Sequence, residues 1–230
     1  MIGIIGAMDE EIGQIVEKMT EVTITKTADM TFNKGKLNGK DVVAVRSGIG
    51  KVNAAICTQI LAMNFNVDKI INTGVAGSLR NEINIGDIVV STDAIQHDMD
   101  ATGFGYELGV IPRMKVSDFW ADTELRKLAV ESCKDAGLSI GVHEGRVVSG
   151  DQFISDKKVK EKLIEKFDAY CTEMEGAAIA QAAYLNNIPF LIIRAISDKA
   201  DGSANMDYSE FEHKAIDNSV VLLTNMIEHI

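Results

Sequence analysis

Short apolar runs alternate with segments of helical periodicity along almost the whole chain. Residues 2–7 form a buried, glycine-containing run, and Ile12, Ile15, Val16 and Met19 follow at the spacing of one helical face. The same order recurs to the C-terminus. Because strands that alternate with helices pack as a sheet covered by those helices, the pattern predicts an α/β fold with a mainly parallel or mixed sheet.

The other elements are predicted from periodicity and from turn residues. Strands are expected at 31–36, 41–46, 69–73, 87–91, 146–149, 169–172 and 190–196, and helices at 51–63, 121–136, 159–166, 176–185 and from about 209 onwards. Asn38-Gly39 supplies the positive φ angles of a tight hairpin. With no internal repeat or linker, the chain is predicted to be a single domain over residues 1–230, a central mixed β-sheet flanked by α-helices.

The net charge of −11 argues against nucleic acid as a partner, because no basic stripe is available to meet a polyphosphate. No segment approaches the ~20 apolar residues of a membrane span, and the N-terminus lacks a basic region before its apolar run. Cys57, Cys133 and Cys171 lie in apolar segments without CxxC spacing, which is typical of buried thiols. We therefore expect a cytoplasmic protein with no membrane partner.

Several familiar motifs fail on inspection. Gly48-Ile49-Gly50-Lys51 lacks the spacing and the hydroxyl residue of a phosphate loop, and Gly3 with Gly6 lacks the three-glycine dinucleotide pattern. The four histidines fit no metal-ligand spacing, and there is no Gly-x-Ser-x-Gly elbow. We therefore predict no cofactor and no metal, and assign the chemistry to carboxylates.

Acidic residues follow three of the predicted strands. They are Asp9-Glu10-Glu11, Glu173 with Glu175, and Asp198. Ligands of open α/β sheets bind beyond the carboxyl ends of the strands, so these acids are candidates for a site. Taken singly, each is better explained as a helix-start or turn residue, since acids are favoured in a first turn, but the three together indicate a site. If the backbone is extended at Glu173–Glu175, both carboxylates point to one side.

Arg194 lies inside the apolar run 190–196, where a buried cation must find an anion. One of the nearby acids is its expected partner. The alternative is an edge strand on which Arg194 faces water.

Eight motifs in order resemble those of the methylthioadenosine/S-adenosylhomocysteine nucleosidases of the nucleoside-phosphorylase-like superfamily. They are Gly3-Ile4-Ile5-Gly6-Ala7-Met8 with Glu10-Glu11, Ser47-Gly48-Ile49-Gly50-Lys51-Val52, Asn72-Thr73-Gly74 with Ala76-Gly77, Gly86-Asp87-Ile88-Val89-Val90, Phe104-Gly105-Tyr106, Val148-Ser149-Gly150-Asp151 with Phe153-Ile154, Glu173-Met174-Glu175, and Arg194-Ala195-Ile196-Ser197-Asp198. The resemblance runs nearly end to end and implies a nucleoside-phosphorylase-like fold.

The resemblance implies hydrolysis of the N-glycosidic bond of 5′-methylthioadenosine and S-adenosylhomocysteine. Glu11 would activate the attacking water and Asp198, oriented by Ser197, would protonate adenine N7. Cleavage of a ribosyl C–N bond builds oxocarbenium-like charge on the sugar and needs a protonated leaving group, so one carboxyl should be ionised and the other protonated.

The resemblance also implies the substrate contacts. Glu175 would bind the ribose hydroxyls, Met174 would pack on the sugar, Phe153 would stack on adenine and the Ile154 backbone would read its edge. The other implied site residues are Arg194 on the water and ribose side, Glu173 of the same acidic motif, and the pocket-lining Met8, Ile49, Val75, Gly77 and Tyr208. Val75 stands where some relatives have serine.

The glycine-rich stretch 98–115 contains the apolar residues Phe104, Tyr106 and Pro112. By resemblance this loop packs against the 5′-thio group, partly from a neighbouring subunit, and an apolar slot suits a methylthio group. We therefore predict a homodimer that binds a small nucleoside.

Two rival functions are considered. A phosphorylase of the same fold would use phosphate, which the acidic turn Asp9-Glu10-Glu11 would repel. A non-catalytic nucleoside sensor would not need both Glu11 and Asp198. The sequence does not rank methylthioadenosine, S-adenosylhomocysteine, 5′-deoxyadenosine and aminodeoxyfutalosine as substrates.

Overall fold

The computed structural model describes residues 1–137 and 140–230, apart from the side chains of residues 205 and 209. The strands are β1 (Ile2–Gly6), β2 (Thr20–Thr27), β3 (Met30–Leu37), β4 (Lys40–Arg46), β5 (Lys69–Ser78), β6 (Ile88–Gln96), β7 (Asp118–Trp120), β8 (Val142–Ser149), β9 (Cys171–Glu173) and β10 (Phe190–Asp198). The helices are α1 (Asp9–Glu17), α2 (Lys51–Phe65), α3 (Thr123–Asp135), α4 (Lys157–Phe167), α5 (Gly176–Leu185) and α6 (Ala204–His229). The predicted α/β fold is confirmed.

One mixed sheet runs through the molecule. Strand β10 pairs in parallel with β5 and antiparallel with β6, and β6, β8 and β9 continue round to pair again with β5. These five strands therefore close on themselves. From β5 the sheet extends through β1, β4, β3 and β2, with β1 parallel to both neighbours. As a result, the carboxyl ends of β1, β5 and β10 lie side by side.

Helices pack on the sheet in two groups, α2 with α5, and α6 with α1 and α3. The apolar faces predicted from periodicity supply the core: Ile12 and Ile15 of α1 are buried. The described part of the chain contains no helix that is both long and apolar enough to span a bilayer. Cys57, Cys133 and Cys171 are buried free thiols, as predicted.

The predicted hairpin at Asn38-Gly39 is present, with φ angles of 49° and 78°. Two strands were not predicted: β2, whose residues are almost all exposed, and the three-residue β7. Strands β5 and β8 are longer than predicted, and α6 begins at Ala204, not near residue 209. The edge-strand alternative for Arg194 is wrong, because β10 lies between β5 and β6.

Candidate active site

A cavity of about 310 Å³ lies beyond the carboxyl ends of β1, β5, β9 and β10. Its lining residues are Ala7, Met8, Glu11, Ile49, Val75, Ala76, Gly77, Phe153, Thr172, Glu173, Met174, Glu175, Ser197, Asp198 and Tyr208. Twelve of these fifteen residues were predicted as site residues from the sequence, and Ala7, Ala76 and Thr172 were not. Each of the three is adjacent in the sequence to a predicted site residue, and that adjacency was the available signal.

Glu11 lies in the first turn of α1 and is 4% exposed. Its carboxylate accepts hydrogen bonds from the backbone N–H groups of Ala7 (2.6 Å), Met8 (3.1 Å) and Val75 (3.1 Å). Burial raises the pKa of Glu11, while the nearby Arg194 guanidinium and these amide donors act in the opposite direction and favour the ionised form. The surroundings of this carboxyl therefore suit a base that is buried yet able to carry charge.

Arg194 is 1% exposed and lies behind the cavity wall, so it is not among the lining residues. Its guanidinium forms an ion pair with Glu173 and donates to Asn72 Oδ1 at 2.5 Å. The predicted pairing of this arginine with a nearby acid is thus confirmed. Gly74 makes room for the arrangement: a Cβ there would overlap the guanidinium and lie 2.5 Å from Glu11 Oε1.

Glu173 holds the local structure together. It accepts hydrogen bonds from the Ser149 hydroxyl, from Arg194, and from the backbone N–H groups of Glu175 (3.1 Å) and Gly176 (2.8 Å). A carboxylate with these four donors has little capacity left for a ligand. Although Glu173 borders the cavity, its geometry is that of a helix-start and arginine anchor.

Glu175 occupies the position before α5, with φ −133° and ψ −39°. The premise of an extended backbone across the acidic motif is therefore wrong at this residue, and Glu173 and Glu175 have separate partners. Glu175 Oε1 accepts from Gly50 N at 2.8 Å. Burial, followed by the charge of Glu173, raises the pKa of Glu175 to about 7. This carboxyl is the one in the motif with capacity for further hydrogen bonds.

Asp198 ends β10 and is 2% exposed. Its Oδ1 accepts from Ala200 N at 2.7 Å and its Oδ2 accepts from Ser197 Oγ at 3.0 Å. Burial raises the pKa of Asp198; the hydrogen bonds from Ala200 N and Ser197 Oγ act in the opposite direction, and the negative charges of Asp207 and Asp201 act with burial. Unlike Glu11, this carboxyl has acidic neighbours that favour its neutral, proton-donating form.

Aromatic and sulfur-containing side chains form the apolar part of the cavity. The Phe153 ring, 48% exposed, meets the Tyr208 ring edge-on with centroids 6.1 Å apart. The Tyr208 hydroxyl contacts Met8 Sδ at 3.4 Å. Ile154 lines a small adjoining cavity of about 30 Å³ that shares Phe153 and Asp198 with the main one.

The loop residues predicted to contact the 5′ group are not in the cavity of this single chain. Phe104 is 88% exposed and Tyr106 is 37% exposed, and neither they nor Pro112 line it. Asp9 and Glu10 also lie outside, with the Asp9 carboxylate 3.3 Å from Arg46 Nε. The acidity of the cavity therefore comes from Glu11, Glu173, Glu175 and Asp198, and no lysine or arginine is among its described lining residues.

No group of three or more metal-ligating side chains is present in the described ranges 1–137 and 140–230. The cavity thus combines two buried carboxyls in contrasting electrostatic surroundings, a third carboxylate with free capacity, and an aromatic face. That combination can protonate one group, remove a proton from another and bind a planar base.

Comparison with known proteins agrees with this geometry. The model of the phosphorylase superfamily matches residues 1–228. The 5′-methylthioadenosine/S-adenosylhomocysteine nucleosidase of Staphylococcus carnosus is 45% identical over 231 residues, all of both chains. The Neisseria meningitidis nucleosidase of the same name, solved with methylthio-immucillin-A, superposes with a TM-score of 0.96 at 36% identity, covering 100% of this chain and 99% of that one. The futalosine hydrolase of Helicobacter pylori superposes with a TM-score of 0.94 at 35% identity, covering 100% and 97%.

Proposed function

This chain belongs to the phosphorylase superfamily, and we propose that it hydrolyses the N-glycosidic bond of 5′-methylthioadenosine and S-adenosylhomocysteine, releasing adenine and the 5′-thioribose. It is therefore an N-glycosyl hydrolase. The proposal extends to 5′-deoxyadenosine, which differs only in its 5′ group. Such a reaction serves methionine salvage and the recycling of S-adenosylmethionine by-products.

The observation that carries the proposal is the contrast between Glu11 and Asp198 in one cavity. Both carboxyls accept hydrogen bonds, but the charged group near Glu11 is the Arg194 guanidinium, whereas the charged groups near Asp198 include the carboxylates of Asp207 and Asp201. When the surroundings of two carboxyls favour opposite protonation states, the acid and base roles follow. We therefore assign the base to Glu11 and the acid to Asp198.

In the proposed reaction, Asp198 gives its proton to adenine N7 as the C1′–N9 bond breaks and the bonding electrons move onto the base. Positive charge develops on the ribose, and water attacks C1′ while Glu11 accepts its proton. Ser197 orients Asp198 through its 3.0 Å hydrogen bond. Each positioned proton transfer contributes on the order of 10²- to 10⁴-fold in rate.

Substrate binding is assigned to the remaining wall residues. Glu175 accepts hydrogen bonds from the ribose hydroxyls and places negative charge near the cation that develops on the sugar. That cation in turn favours the ionised form of Glu175, whose pKa is raised in the free protein. Met174 packs on the sugar, and Phe153 stacks on adenine beside the Ile154 backbone. Arg194 acts through Glu173 from behind the wall.

Hydrolysis is favoured over phosphorolysis by the charges in the cavity. Its described lining has four carboxyl groups and no basic side chain, and the nearby Arg194 is already paired with Glu173. A phosphate dianion would meet repulsion from the ionised carboxylates there. Water, being neutral, is the nucleophile that such a cavity accepts.

The proposed assembly is a homodimer of single-domain chains, each comprising residues 1–230. An apolar stripe of exposed residues runs from the cavity rim along α2: Ile49, Val52, Ile56 and Met63 are 55%, 70%, 43% and 70% exposed. The ion pair of Lys51 with Asp98 (2.5 Å) fixes the start of the 98–115 loop beside the same helix. Contiguous exposed apolar surface of this kind marks protein interfaces. A second copy covering the stripe would bring its 98–115 loop to the rim of the cavity.

The buried free thiols support a location in the reducing cytoplasm.

The range of substrates is tested by competition. Purified protein would be given equal concentrations of methylthioadenosine, S-adenosylhomocysteine, 5′-deoxyadenosine and aminodeoxyfutalosine, and kcat/KM for each would follow from product ratios. We expect the two 5′-thio nucleosides to be cleaved fastest. If kcat/KM for aminodeoxyfutalosine exceeds the values for both 5′-thio nucleosides, the substrate preference of this chain would instead resemble that of a futalosine hydrolase.

A further inference from the structure

The turn that follows Asp198 has an unusual backbone. Ala200 has φ +50°, in the left-handed region that residues other than glycine seldom adopt, and it is fully buried. Its N–H donates to Asp198 Oδ1 at 2.7 Å. Gly77 of β5 permits this close packing, because a Cβ there would lie 2.7 Å from Asp198 Oδ1 and 2.9 Å from Ala200 Cβ. A backbone in this region persists only when its surroundings hold it.

A lysine from α4 holds the turn from the other side. Lys160 is 7% exposed, whereas Lys158 and Lys162 of the same helix are exposed. Its ammonium donates to the Lys199 carbonyl oxygen at 2.6 Å and lies 3.9 Å from Asp201 Oδ2. A lysine ordinarily extends its charged end into water, and burying that charge costs free energy unless it is paired. Lys160 instead places its charged end between a peptide carbonyl, which is the closer contact, and the Asp201 carboxylate.

That carbonyl belongs to the same peptide group as the N–H that Asp198 accepts. The oxygen is that of Lys199 and the N–H is that of Ala200, and the planar peptide bond fixes their directions relative to one another. Anchoring the oxygen therefore aims the N–H. A cation on the carbonyl also polarises the peptide and strengthens the hydrogen bond that its N–H makes.

We propose that Lys160 is a positioning residue for Asp198: it holds the 199–200 peptide so that the Ala200 N–H keeps the carboxyl directed into the cavity. This inference rests on the proposed function, in which Asp198 protonates the leaving base. Lys160 is not among the residues lining the cavity and has no proposed contact with substrate.

The charges that face Asp198 allow the positioning role of Lys160 to be measured in a second way, through the pH dependence of activity. Asp201 in the turn and Asp207 on α6 favour its neutral form, whereas the Lys160 ammonium on α4 favours its charged form. Lys160 itself is faced by Asp201, Asp198 and Lys199. Loss of the ammonium, and of the aligned Ala200 N–H, therefore raises the pKa of Asp198. Activity that needs protonated Asp198 then persists to higher pH, while the misdirected carboxyl works more slowly.

The test compares Lys160→Met with Lys162→Met, which removes the same charge from an exposed position of the same helix. Rates of adenine release from methylthioadenosine would be measured across pH. We expect kcat of Lys160→Met to fall ~10-fold, a fraction of the full contribution of a positioned proton transfer, with KM changed less than ~2-fold. The alkaline limb of the kcat profile should move up by about half a pH unit. Lys160→Arg, which keeps the charge and donors, should restore both.

Equal kcat and equal alkaline limbs in Lys160→Met and Lys162→Met would overturn the inference. So would a Lys160→Met variant that has a lower Tm but an unchanged pH profile, since that is a purely structural effect. If Lys160→Met does not fold, Lys160→Gln is measured against the same expectations. Failure of the wild-type chain to release adenine would contradict the proposed function itself, whereas a normal wild type with unaffected variants contradicts only the role of Lys160.

Discussion

In the proposed reaction, neighbouring charges divide two similar carboxyls, Glu11 and Asp198, into a base and an acid. Burial raises the pKa of both. Hydrogen bonds lower the pKa of both, and the difference comes from the neighbouring charges, Arg194 at Glu11 and Asp207 with Asp201 at Asp198. The activity should therefore have an acidic limb, where Glu11 becomes protonated, and an alkaline limb, where Asp198 loses its proton.

Replacement of Asp198 by asparagine tests the acid at the residue scale. Asparagine keeps the shape but has no acidic proton, so turnover of methylthioadenosine should fall by at least ~100-fold. Binding of a non-cleavable nucleoside analogue, measured by calorimetry, should remain. Asp217→Asn, at an exposed site on α6, is the control. Near-normal turnover in Asp198→Asn would remove this residue from the acid role.

Glu11→Gln is the corresponding test of the base. Glutamine cannot accept the proton of the attacking water, and its amide N–H₂ would face at least one of the backbone donors that now point at the carboxylate. We expect turnover to fall by at least ~100-fold, with the acidic limb of the pH profile lost in whatever activity remains. A variant that retains both turnover and that limb would show that another group accepts the proton.

Glu175 predicts a pH dependence of stability. Its pKa is raised in the folded state from 4.5 to about 7, so between these values the folded chain binds more protons than the unfolded chain. The free energy of unfolding should thus fall as pH rises through this window, by about 3 kcal/mol at most from this group. Urea unfolding of wild type and Glu175→Gln at pH 5 and pH 8 would measure it. The difference between the two proteins should change with pH; a constant difference would contradict the assignment.

The acidic residues of the candidate site could be predicted from the sequence because they stand directly after apolar runs. Their individual roles were harder to predict. Glu173 was predicted to bind substrate, yet its donors come from Ser149, Arg194 and the start of α5, and those meetings depend on how β8, β9 and β10 pair. Lys160 falls at i, i+3 and i+7 with the buried Leu163 and Phe167 of α4, but this spacing does not show that its ammonium reaches the turn after Asp198.

At the scale of elements, the site depends on close approach between α1, β5 and β10. Gly74 on β5 leaves the space in which Glu11 and Arg194 meet. Its substitution by alanine should displace both groups and lower kcat by at least ~10-fold, because catalytic groups must be held in near-productive geometry.

The matched control is Gly13→Ala in α1, where an added Cβ meets nothing within 4 Å. That change should raise the free energy of unfolding by about 0.5–1 kcal/mol through helix propensity, with activity unchanged. Kinetics and urea unfolding of both variants test the pair. Full activity in Gly74→Ala would show that the contact with Glu11 is not needed.

Strands were predicted correctly where a buried face gives the sequence a run of apolar residues, and they were missed where no such run exists. Strand β2 lies at the sheet edge with its residues exposed, so no burial pattern marks it. Strand β10 continues through a register shift to Asp198, beyond the apolar run on which the prediction was based. The proposed catalytic acid, Asp198, is consequently part of the sheet, which holds it more rigidly than a loop would.

For the whole molecule, the apolar stripe on α2 predicts the dimer contact. The double variant Val52→Glu, Met63→Glu should be monomeric by analytical ultracentrifugation, because buried unpaired charges oppose association. Its turnover should fall, since the partner's loop would no longer complete the 5′ end of the cavity. Ile24→Glu, equally exposed on the edge strand β2, should stay dimeric and active. A monomeric wild type, or a dimeric double variant, would contradict this interface.

The central claim is that water, not phosphate, attacks the sugar after the acid protonates the base. Purified protein would be incubated with methylthioadenosine in the presence and absence of phosphate, and the sugar product identified by mass spectrometry. The acidic cavity predicts free methylthioribose and adenine at the same rate in both conditions. Formation of methylthioribose 1-phosphate, dependent on added phosphate, would contradict the account.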